Sequence, residues 1–314
     1  MKKKWLFAGF LVCTLVIAEV VARFGLGLGD PPLSITHPTI EYMYKPDQDV
    51  MRFGKRFIIN HYGMRSENFP AKKVDKETRL MVFGDSVLNG GNLTDHADLA
   101  TTLLENRLSD GHKKNVRLGN ISAGSWGPGN WLAYAKEFGF FNADIIILII
   151  SSHDAGDNPT FEPLNPDTHP QSKPTSALWE RLKRYLPRYL PQLSKAAEAP
   201  VISQVDEKVG FVQGLTDLQN FLRLARVQTP KVLVVQWPEQ SELSSGKFKN
   251  GYFEIRQVAE DLGIPVIPMA PTLLKNMKEG GQPYRDNIHP NDLGQQIIAE
   301  TLYRQIANDE TLGH

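Results

Sequence analysis

The sequence Arg79-Leu-Met-Val-Phe-Gly-Asp-Ser86 joins an apolar run to a turn of small polar residues. The apolar run predicts a buried strand, and Gly84-Asp85-Ser86 places a serine where that strand becomes a loop. A second motif, Asp286-Asn-Ile-His289, lies near the C-terminus. A serine hydroxyl is a weak nucleophile until a base takes its proton, and a histidine oriented by a carboxylate is the usual base. The two motifs therefore predict serine-type acyl chemistry.

Around this sequence, strand-like and helix-like patterns alternate along most of the chain. The uninterrupted apolar run from Ile145 to Ile150 is typical of a central parallel strand that is buried on both faces. Strand–helix alternation with short connections predicts an α/β fold with a doubly wound parallel sheet covered by helices. The predicted strands are 80–83, 116–121, 145–150, 232–236 and 265–268, and the predicted helices are 97–108, 130–138, 210–227, 252–262 and 293–306.

Three polar loops follow predicted strands closely. They begin at Ser86, Ser122 and Ser151. Because catalytic groups in such sheets gather at the carboxyl ends of the strands, we expect these loops to converge on one rim. Pro290 suits the first position of the last helix, which would put His289 at the helix cap. Asp286 can then accept a hydrogen bond from the other ring nitrogen and fix the tautomer.

The composition limits the classes of function. The chain has 314 residues, with 35 basic and 35 acidic ones, so its formal net charge is zero. The charge therefore gives no indication of a nucleic-acid partner. Cys13 is the single cysteine, which excludes intrachain disulfides and cysteine-based metal sites. The histidines show no metal-ligand spacing, and the sequence has no Gly-rich phosphate loop. We therefore expect neither a metal nor a cofactor.

The N-terminal residues 1–24 predict a membrane segment. Three lysines precede an uncharged stretch from Trp5 to Ala18, and the apolar character continues to Ala22. About 18 apolar residues are just enough to span a bilayer as a helix. The lysines favour a cytoplasmic N-terminus, with a single pass through the cell inner membrane and the rest of the chain on the periplasmic side. The alternatives are a cleaved signal peptide followed by secretion and a buried N-terminal helix.

Residues 25–75 are predicted to form a linker and a small N-terminal extension, and residues 76–310 the main domain. The main domain contains a proline-rich insertion at about residues 158–200, around an amphipathic piece from Ala177 to Leu190. The insertion is interpreted either as a loop with a solvated basic face or as a lid or rim that contacts an anionic polymer or the membrane. The basic residues of this face are Arg181, Lys183, Arg184 and Arg188.

The motifs Gly84-Asp85-Ser86 and Asp286-Asn-Ile-His289-Pro290 resemble the first and last sequence blocks of the SGNH/GDSL hydrolase superfamily. The resemblance covers most of the chain from about residue 80 to residue 306. It implies a flavodoxin-like three-layer α/β/α fold, with Ser86 as nucleophile, His289 as base and Asp286 as the group that orients the base. Members of the superfamily mostly cleave or transfer esters, often acetyl groups on carbohydrates.

The two middle blocks depart from the superfamily pattern. By the resemblance, a glycine N–H that binds the oxyanion falls on Ser125 or on Gly124, and the N–H of Ser86 is another donor. In the third block, His153 stands where the superfamily has an asparagine donor. His153 is interpreted as a replacement donor, as a second acid/base group or as the mark of a degenerate site. The residues expected to support these groups are Asp85 and Asp154.

These patterns predict an extracytoplasmic serine esterase or O-acyltransferase that acts on O-acetyl groups of a polysaccharide or glycan. Its expected partners are an acylated carbohydrate or other small ester, the membrane through the N-terminal helix, and proteins of polysaccharide assembly, with no nucleic acid. The first alternative is a catalytically degenerate domain that binds or assembles polysaccharide. A lipase or thioesterase is the second alternative, favoured if the proline-rich insertion forms an apolar lid.

Overall fold

A computed structural model describes residues 2–112, 115–189 and 204–307 of the chain. Within this part, a long N-terminal helix and two β-hairpins precede an alternation of strands and helices. The strands are β1 (Ser34–His37), β2 (Glu41–Tyr44), β3 (Gln48–Arg52), β4 (Lys55–Ile59), β5 (Glu77–Gly84), β6 (Asn115–Ser122), β7 (Ile145–Ile150), β8 (Val232–Gln236) and β9 (Val266–Pro268). The α-helices are α1 (Lys2–Val20), α2 (Ser86–Asn89), α3 (Ala100–His112), α4 (Pro128–Phe138), α5 (Ala177–Tyr189), α6 (Gln204–Gln228), α7 (Gln240–Ser245), α8 (Asn250–Asp261), α9 (Ala270–Lys278) and α10 (Asp292–Ile306).

Strands β5 to β9 form one parallel sheet in the spatial order β6-β5-β7-β8-β9. Counted along the chain, this order is 2-1-3-4-5, which is the strand order of a flavodoxin-like fold. The prediction of a doubly wound parallel sheet is confirmed. The chain changes direction across the sheet between β5 and β7. Ligand sites in such sheets lie at the carboxyl ends of the strands beside this switch point.

Helices cover both faces of the sheet. Side chains alternate along β5, so that Leu80 and Val82 face one hydrophobic layer while Met81 and Phe83 face the other. The first layer includes side chains of α3 and α10, and the second includes side chains of α4, α6 and α8. Every residue of β7 is buried, as expected for a strand that is covered on both faces. The main domain is a three-layer α/β/α sandwich.

The N-terminal extension contains two antiparallel hairpins, β1–β2 and β3–β4. The first hairpin is bound to the loop that follows β6. The Tyr42 hydroxyl donates to the Gly124 carbonyl, and the Trp126 indole N–H donates to the Tyr42 carbonyl at 3.1 Å. Tyr42 and Trp126 are both buried. The extension therefore forms a wall above the carboxyl end of the sheet.

Helix α1 and a π-helical turn, Val21–Gly25, form the apolar N-terminal segment. Within Lys3–Gly25, a window of 18 residues has a mean hydropathy of 2.3, and 6% of it is buried inside the protein. Large apolar side chains such as Trp5 and Phe10 are 75% and 72% exposed. The segment is long and apolar enough to cross a membrane, and a signal sequence has the same properties.

Helix α5 forms the amphipathic piece of the proline-rich insertion, as expected from the sequence. The segment before it, residues 157–176, contains no strand or helix. Residues 190–200 of the insertion and residues 308–310 at the end of the expected main domain lie outside the described residues. The insertion therefore contributes one helix and one irregular segment to the part of the chain that the structure describes.

Candidate active site

Ser86 is held at the carboxyl end of β5 by a tight turn. A Cβ atom at Gly84 would lie 2.8 Å from Leu88 Cβ, so nothing larger than glycine fits at this position. Asp85 caps the short helix α2, since its Oδ1 accepts from the Val87 N–H at 2.9 Å. Ser86 is the first residue of α2, where a backbone N–H has no acceptor within the helix.

Asp286 and His289 lie on the loop before α10. Asp286 Oδ1 accepts from the backbone N–H groups of Ile288 and His289, at 2.9 and 2.8 Å. The Arg285 N–H donates to the His289 carbonyl at 2.9 Å. This side-chain-to-backbone turn fixes the positions of the two functional side chains relative to each other.

The last helix begins at Asp292, so the prediction that Pro290 occupies its first position is wrong. Pro290 pairs with Tyr284 in an isolated antiparallel bridge, which holds it outside the helix. Asn291 is the N-cap of α10, because its side chain accepts from the Gly294 N–H at 3.1 Å. His289 is therefore carried by the bridged loop and does not lie at the helix cap.

Ser86, His289 and Asp286 form a continuous row of hydrogen-bonding groups. His289 Nε2 lies 2.9 Å from Ser86 Oγ, and His289 Nδ1 lies 2.8 Å from Asp286 Oδ2. Burial acts to raise the pKa of Asp286, but hydrogen bonds from the His289 and Ile288 N–H groups and from the His289 ring outweigh it and lower the pKa. An ionised Asp286 keeps a proton on Nδ1, so Nε2 is free to accept the Ser86 proton.

Ser86 and His289 open into a cavity of about 310 Å³. Gly124 and Ser125, predicted from the sequence, line the same cavity. Its wall also includes residues that the sequence did not assign to the site, namely Ser34, Tyr42, Tyr44, Asn92, Thr168, His169 and Arg184. These residues come from the first hairpin, the loop after α2 and the proline-rich insertion. Only the tertiary packing of those segments onto the sheet rim brings them to Ser86.

The loop after β6 offers backbone donors beside Ser86. Ser125 has a φ of 57°, in the left-handed region that favours glycine. Ser125 is one of the two positions, with Gly124, at which the resemblance placed the oxyanion glycine. Within the described residues, the N–H groups of Gly124 and Ser125 donate to no protein acceptor. Together with the Ser86 N–H, they are the backbone donors available to bind a developing oxyanion.

His153 contacts Ser86 only indirectly, through Asp85. Asp85 Oδ2 lies 3.2 Å from Ser86 Oγ and 3.6 Å from His153 Nε2. The same ring nitrogen lies 3.4 Å from Asp154 Oδ1, and His153 Nδ1 lies 3.7 Å from Glu239 Oε1. Both ring nitrogens thus face carboxylates, and His153 is not part of the wall of the Ser86 cavity.

These carboxylates hold the His153 ring as a cation. Burial acts to lower the pKa of His153, but the nearby Asp85 and Asp154 carboxylates outweigh it and raise the pKa to about 10. Asp154 is itself buried, and its Oδ2 accepts from the Ser151 N–H at 2.7 Å. Among the described residues, the ligand atoms of Asp85, His153 and Asp154 lie within 4.8 Å of one another. Because both His153 ring nitrogens face carboxylates, we interpret the cluster as an ion network.

No protein-family model matches the chain, and no curated protein matches it. Several solved structures give matches that cover about three quarters of it. An acetylxylan esterase from Geobacillus stearothermophilus, as a catalytic mutant, is 13% identical over 73% of this chain and 95% of its own, with a TM-score of 0.47. A two-domain esterase active on acetylated mannans is 13% identical over 76% of this chain and 50% of its own, with a TM-score of 0.49.

A third match is a member of the lipolytic G-D-S-L family from Veillonella parvula. It is 14% identical over 74% of this chain and 99% of its own, with a TM-score of 0.44.

Proposed function

We propose that this protein is a serine esterase of the SGNH type. The observation that carries the proposal is the position of His289, with Nε2 at 2.9 Å from Ser86 Oγ and Nδ1 at 2.8 Å from Asp286. Residues about 200 positions apart in the chain thus form a nucleophile, a base and an orienting carboxylate in hydrogen-bonding order. This arrangement supplies each group that an acyl-transfer reaction requires.

The reaction follows from these positions. Ser86 Oγ attacks the ester carbonyl carbon while its proton passes to His289 Nε2, and Asp286 stabilises the imidazolium. The carbonyl oxygen becomes an oxyanion, bound by the N–H groups of Ser86 and of the loop at Gly124 and Ser125. The tetrahedral intermediate collapses, and His289 gives the proton to the leaving alcohol. A water or a sugar hydroxyl then attacks the acyl-serine by the same steps in reverse.

The cavity wall favours a small polar ester as substrate. The described wall residues are hydroxyl, amide, imidazole, guanidinium, aromatic, glycine and proline groups, with no aliphatic side chain larger than proline. A wall of this kind offers hydrogen bonds to the hydroxyls of a sugar, and apart from proline it has no aliphatic side chain to pack against a fatty-acyl chain. We therefore favour an O-acetylated carbohydrate over a lipid or an acyl thioester.

A fluorophosphonate probe tests the nucleophile directly, because it labels an activated serine without needing the right acceptor. We expect the full chain in detergent to be labelled at Ser86 and to hydrolyse p-nitrophenyl acetate. Ser86→Ala is expected to lose both signals, while Ser125→Ala, which keeps the backbone donors, is the folded control. Equal labelling of the wild type and Ser86→Ala would contradict the proposal.

A polysaccharide-binding or assembly role without turnover is the second candidate. This candidate is supported by His153, whose ring nitrogens face three carboxylates and not the cavity. His153 stands where the resemblance predicts a side-chain donor to the oxyanion, and it is not directed at Ser86. Binding of an acetylated glycan combined with no fluorophosphonate labelling would favour this candidate over the esterase.

We further propose that the apolar N-terminal segment is retained as a single-pass anchor of the cell inner membrane, with the enzyme on the periplasmic side. The support is a set of contacts between the end of this segment and α5. The Glu19 carboxylate accepts from the Ala177 and Leu178 N–H groups, at 2.8 and 3.0 Å, and so caps α5. Arg23 contacts Glu19 at 2.8 Å and also donates to the Thr175 carbonyl.

The chain just beyond these contacts is part of the protein interior. Ala22 is 4% exposed, Leu28 is fully buried, and the Leu28 N–H donates to the Ala22 carbonyl at 3.0 Å. Cleavage near Ala22 would remove the Glu19 cap. We expect the purified protein to begin at Met1 by intact mass and to remain with membranes after carbonate washing. A mature N-terminus near residue 23 would establish a cleaved signal.

A further inference from the structure

The proline-rich insertion brings Arg184 of α5 to the wall of the Ser86 cavity. Its side chain is 16% exposed, so the guanidinium lies inward and not on the solvated face of the helix. We propose that the cavity binds esters that carry one anionic group close to the acyl group, and that Arg184 recognises this anion. The inference rests on the proposed esterase function and names its substrate class.

The nearest described carboxylate does not neutralise Arg184. Glu180 lies 3.6 Å from Arg184, but it lies 2.7 Å from the buried guanidinium of Arg52 and also accepts from the Gly29 N–H. Arg52 is fully buried and Glu180 is 6% exposed, so these two form the primary ion pair. The Glu180 carboxylate thus lies nearer to Arg52 than to Arg184, and the Arg184 guanidinium lines the cavity wall.

The other described wall residues contribute no negative charge. None of them is an aspartate or a glutamate. Burial lowers the pKa of His169, so its ring is neutral at pH 7, and His289 belongs to the triad. Arg184 therefore supplies the fixed charge of the described wall. A planar guanidinium binds carboxylate and phosphate oxygens through two parallel hydrogen bonds, which suits recognition of a single anionic group.

A second cavity adjoins the Ser86 cavity, and its wall favours a substrate whose negative charge is confined to one group. It shares Tyr42, Ser125, Thr168 and His169 with the Ser86 cavity, but its wall also carries acidic residues. These are Glu41, Asp157 and Glu162. A polyanion lying along both cavities would meet these carboxylates, whereas a sugar with one carboxylate or phosphate near its ester would place that group at Arg184. We therefore infer an acylated acidic sugar and not a continuous anionic polymer.

The experiment measures protection of Ser86 from a neutral fluorophosphonate by three sugars, using the full chain in detergent. Methyl glucuronide carries a carboxylate, glucose 6-phosphate carries a phosphate, and methyl glucoside is the neutral reference. We expect an anionic sugar to protect at a concentration about 10- to 100-fold lower than methyl glucoside, the range of one charge-assisted hydrogen-bonded contact. The better of the two anionic sugars identifies which anion the cavity prefers.

Arg184→Gln and Arg181→Gln form a matched pair on the same helix, since Arg181 is exposed on α5. Arg184→Gln is expected to make the anionic and neutral sugars protect equally, while Arg181→Gln keeps the preference of the wild type. Arg184→Lys keeps the positive charge but not the two parallel hydrogen bonds of the guanidinium. Its preference for the anionic sugars is expected to lie between those of Arg184→Gln and Arg181→Gln.

The outcomes separate the two proposals. Labelling of Ser86 with equal protection by all three sugars would overturn the anionic substrate and leave the esterase intact. Failure of the wild type to label would overturn the esterase. In that case the preference for an anionic sugar is measured as the rise in Tm that each sugar produces. Equal rises for the charged and neutral sugars would overturn the anionic-substrate inference as well.

Discussion

Ser86 lies between two aspartate–histidine groups that use the same residue types differently. On one side, the His289 ring contacts Ser86 Oγ directly and faces one carboxylate, Asp286, which is 52% exposed. On the other side, the His153 ring faces three carboxylates and reaches Ser86 only through Asp85. The first ring can accept a proton from the serine, whereas the second already carries one at neutral pH.

The difference shows that the number and burial of neighbouring carboxylates decide what a histidine does. One partly exposed carboxylate orients the ring and leaves its other nitrogen free to accept a proton, which is what a general base requires. Several buried carboxylates hold the ring in its charged form, and the ring in turn allows those carboxylates to stay buried. In the proposed enzyme, His289 is the base and His153 is a fixed cation of the ion network.

The largest expected effect separates the two rings by activity. His289→Gln is expected to lower kcat/KM for p-nitrophenyl acetate by about 10⁵- to 10⁶-fold, because the serine loses its base. Its Tm is expected to stay within about 2 °C of the wild type, since the ring is partly exposed. A variant that keeps a tenth of the wild-type rate would exclude His289 as the base.

His153→Gln is expected to show the opposite result. It leaves Asp85 and Asp154 without their cation, which destabilises the protein by about 3 kcal/mol and lowers Tm by roughly 5 °C. This is the lower end of the cost of unpairing a buried charge, because without the His153 cation burial and the nearby Asp85 raise the pKa of Asp154 and favour its protonated form. Fluorophosphonate labelling should remain within about tenfold of the wild type. Loss of labelling with an unchanged Tm would instead assign His153 to the reaction.

The stability of the wild type is expected to depend on pH through His153. Its folded pKa of about 10 lies above the ordinary value of about 6.5, so its charge stabilises the fold fully below pH 6.5. This contribution is lost as the pH rises from 6.5 towards 10. Thermal unfolding across that range should show a decline in the wild type that is absent in His153→Gln. Parallel curves for the two proteins would show that the ring is not held as a cation.

The smallest expected effect concerns the donor loop. Ser125→Gly removes the cost of a left-handed serine and is expected to raise the free energy of unfolding by up to about 1 kcal/mol. Activity should change by less than about threefold, because the backbone N–H remains. Ser125→Ala is the control, since it removes the hydroxyl and keeps the conformational cost. Chemical denaturation and esterase rates measured on both variants separate the two contributions.

Local patterns predicted the sheet well, because they depend on neighbouring residues. The bounds of β7 and β8 agree with the sequence prediction, and the alternation of elements gave the parallel sheet. The hairpins were largely missed because pairs such as Ser34 with Tyr44 depend on contacts across a turn. Helix α9 was missed as well, since Pro271 in its first turn was not interpreted as a helix start.

The site could be predicted only where a motif marks it. Ser86 and His289 lie in motifs, and their juxtaposition followed from the rule that strand ends share a rim. No motif distinguishes Arg184 from Arg181, because the direction in which α5 packs decides which one lies inward. The surroundings of His153 depend on Glu239, which follows a different strand. Such properties arise from tertiary packing and not from any local pattern.

Helix α5 joins the apolar N-terminal segment to the Ser86 cavity. Its first turn is capped by Glu19, at the end of the apolar segment, and Arg184 lines the cavity about two turns further on. These eight residues rise by only about 10 Å along the helix axis. In the proposed membrane-anchored enzyme, α5 would therefore hold the cavity wall at a short, fixed distance from the end of the apolar segment. Such an enzyme would act on esters that lie close to the membrane surface.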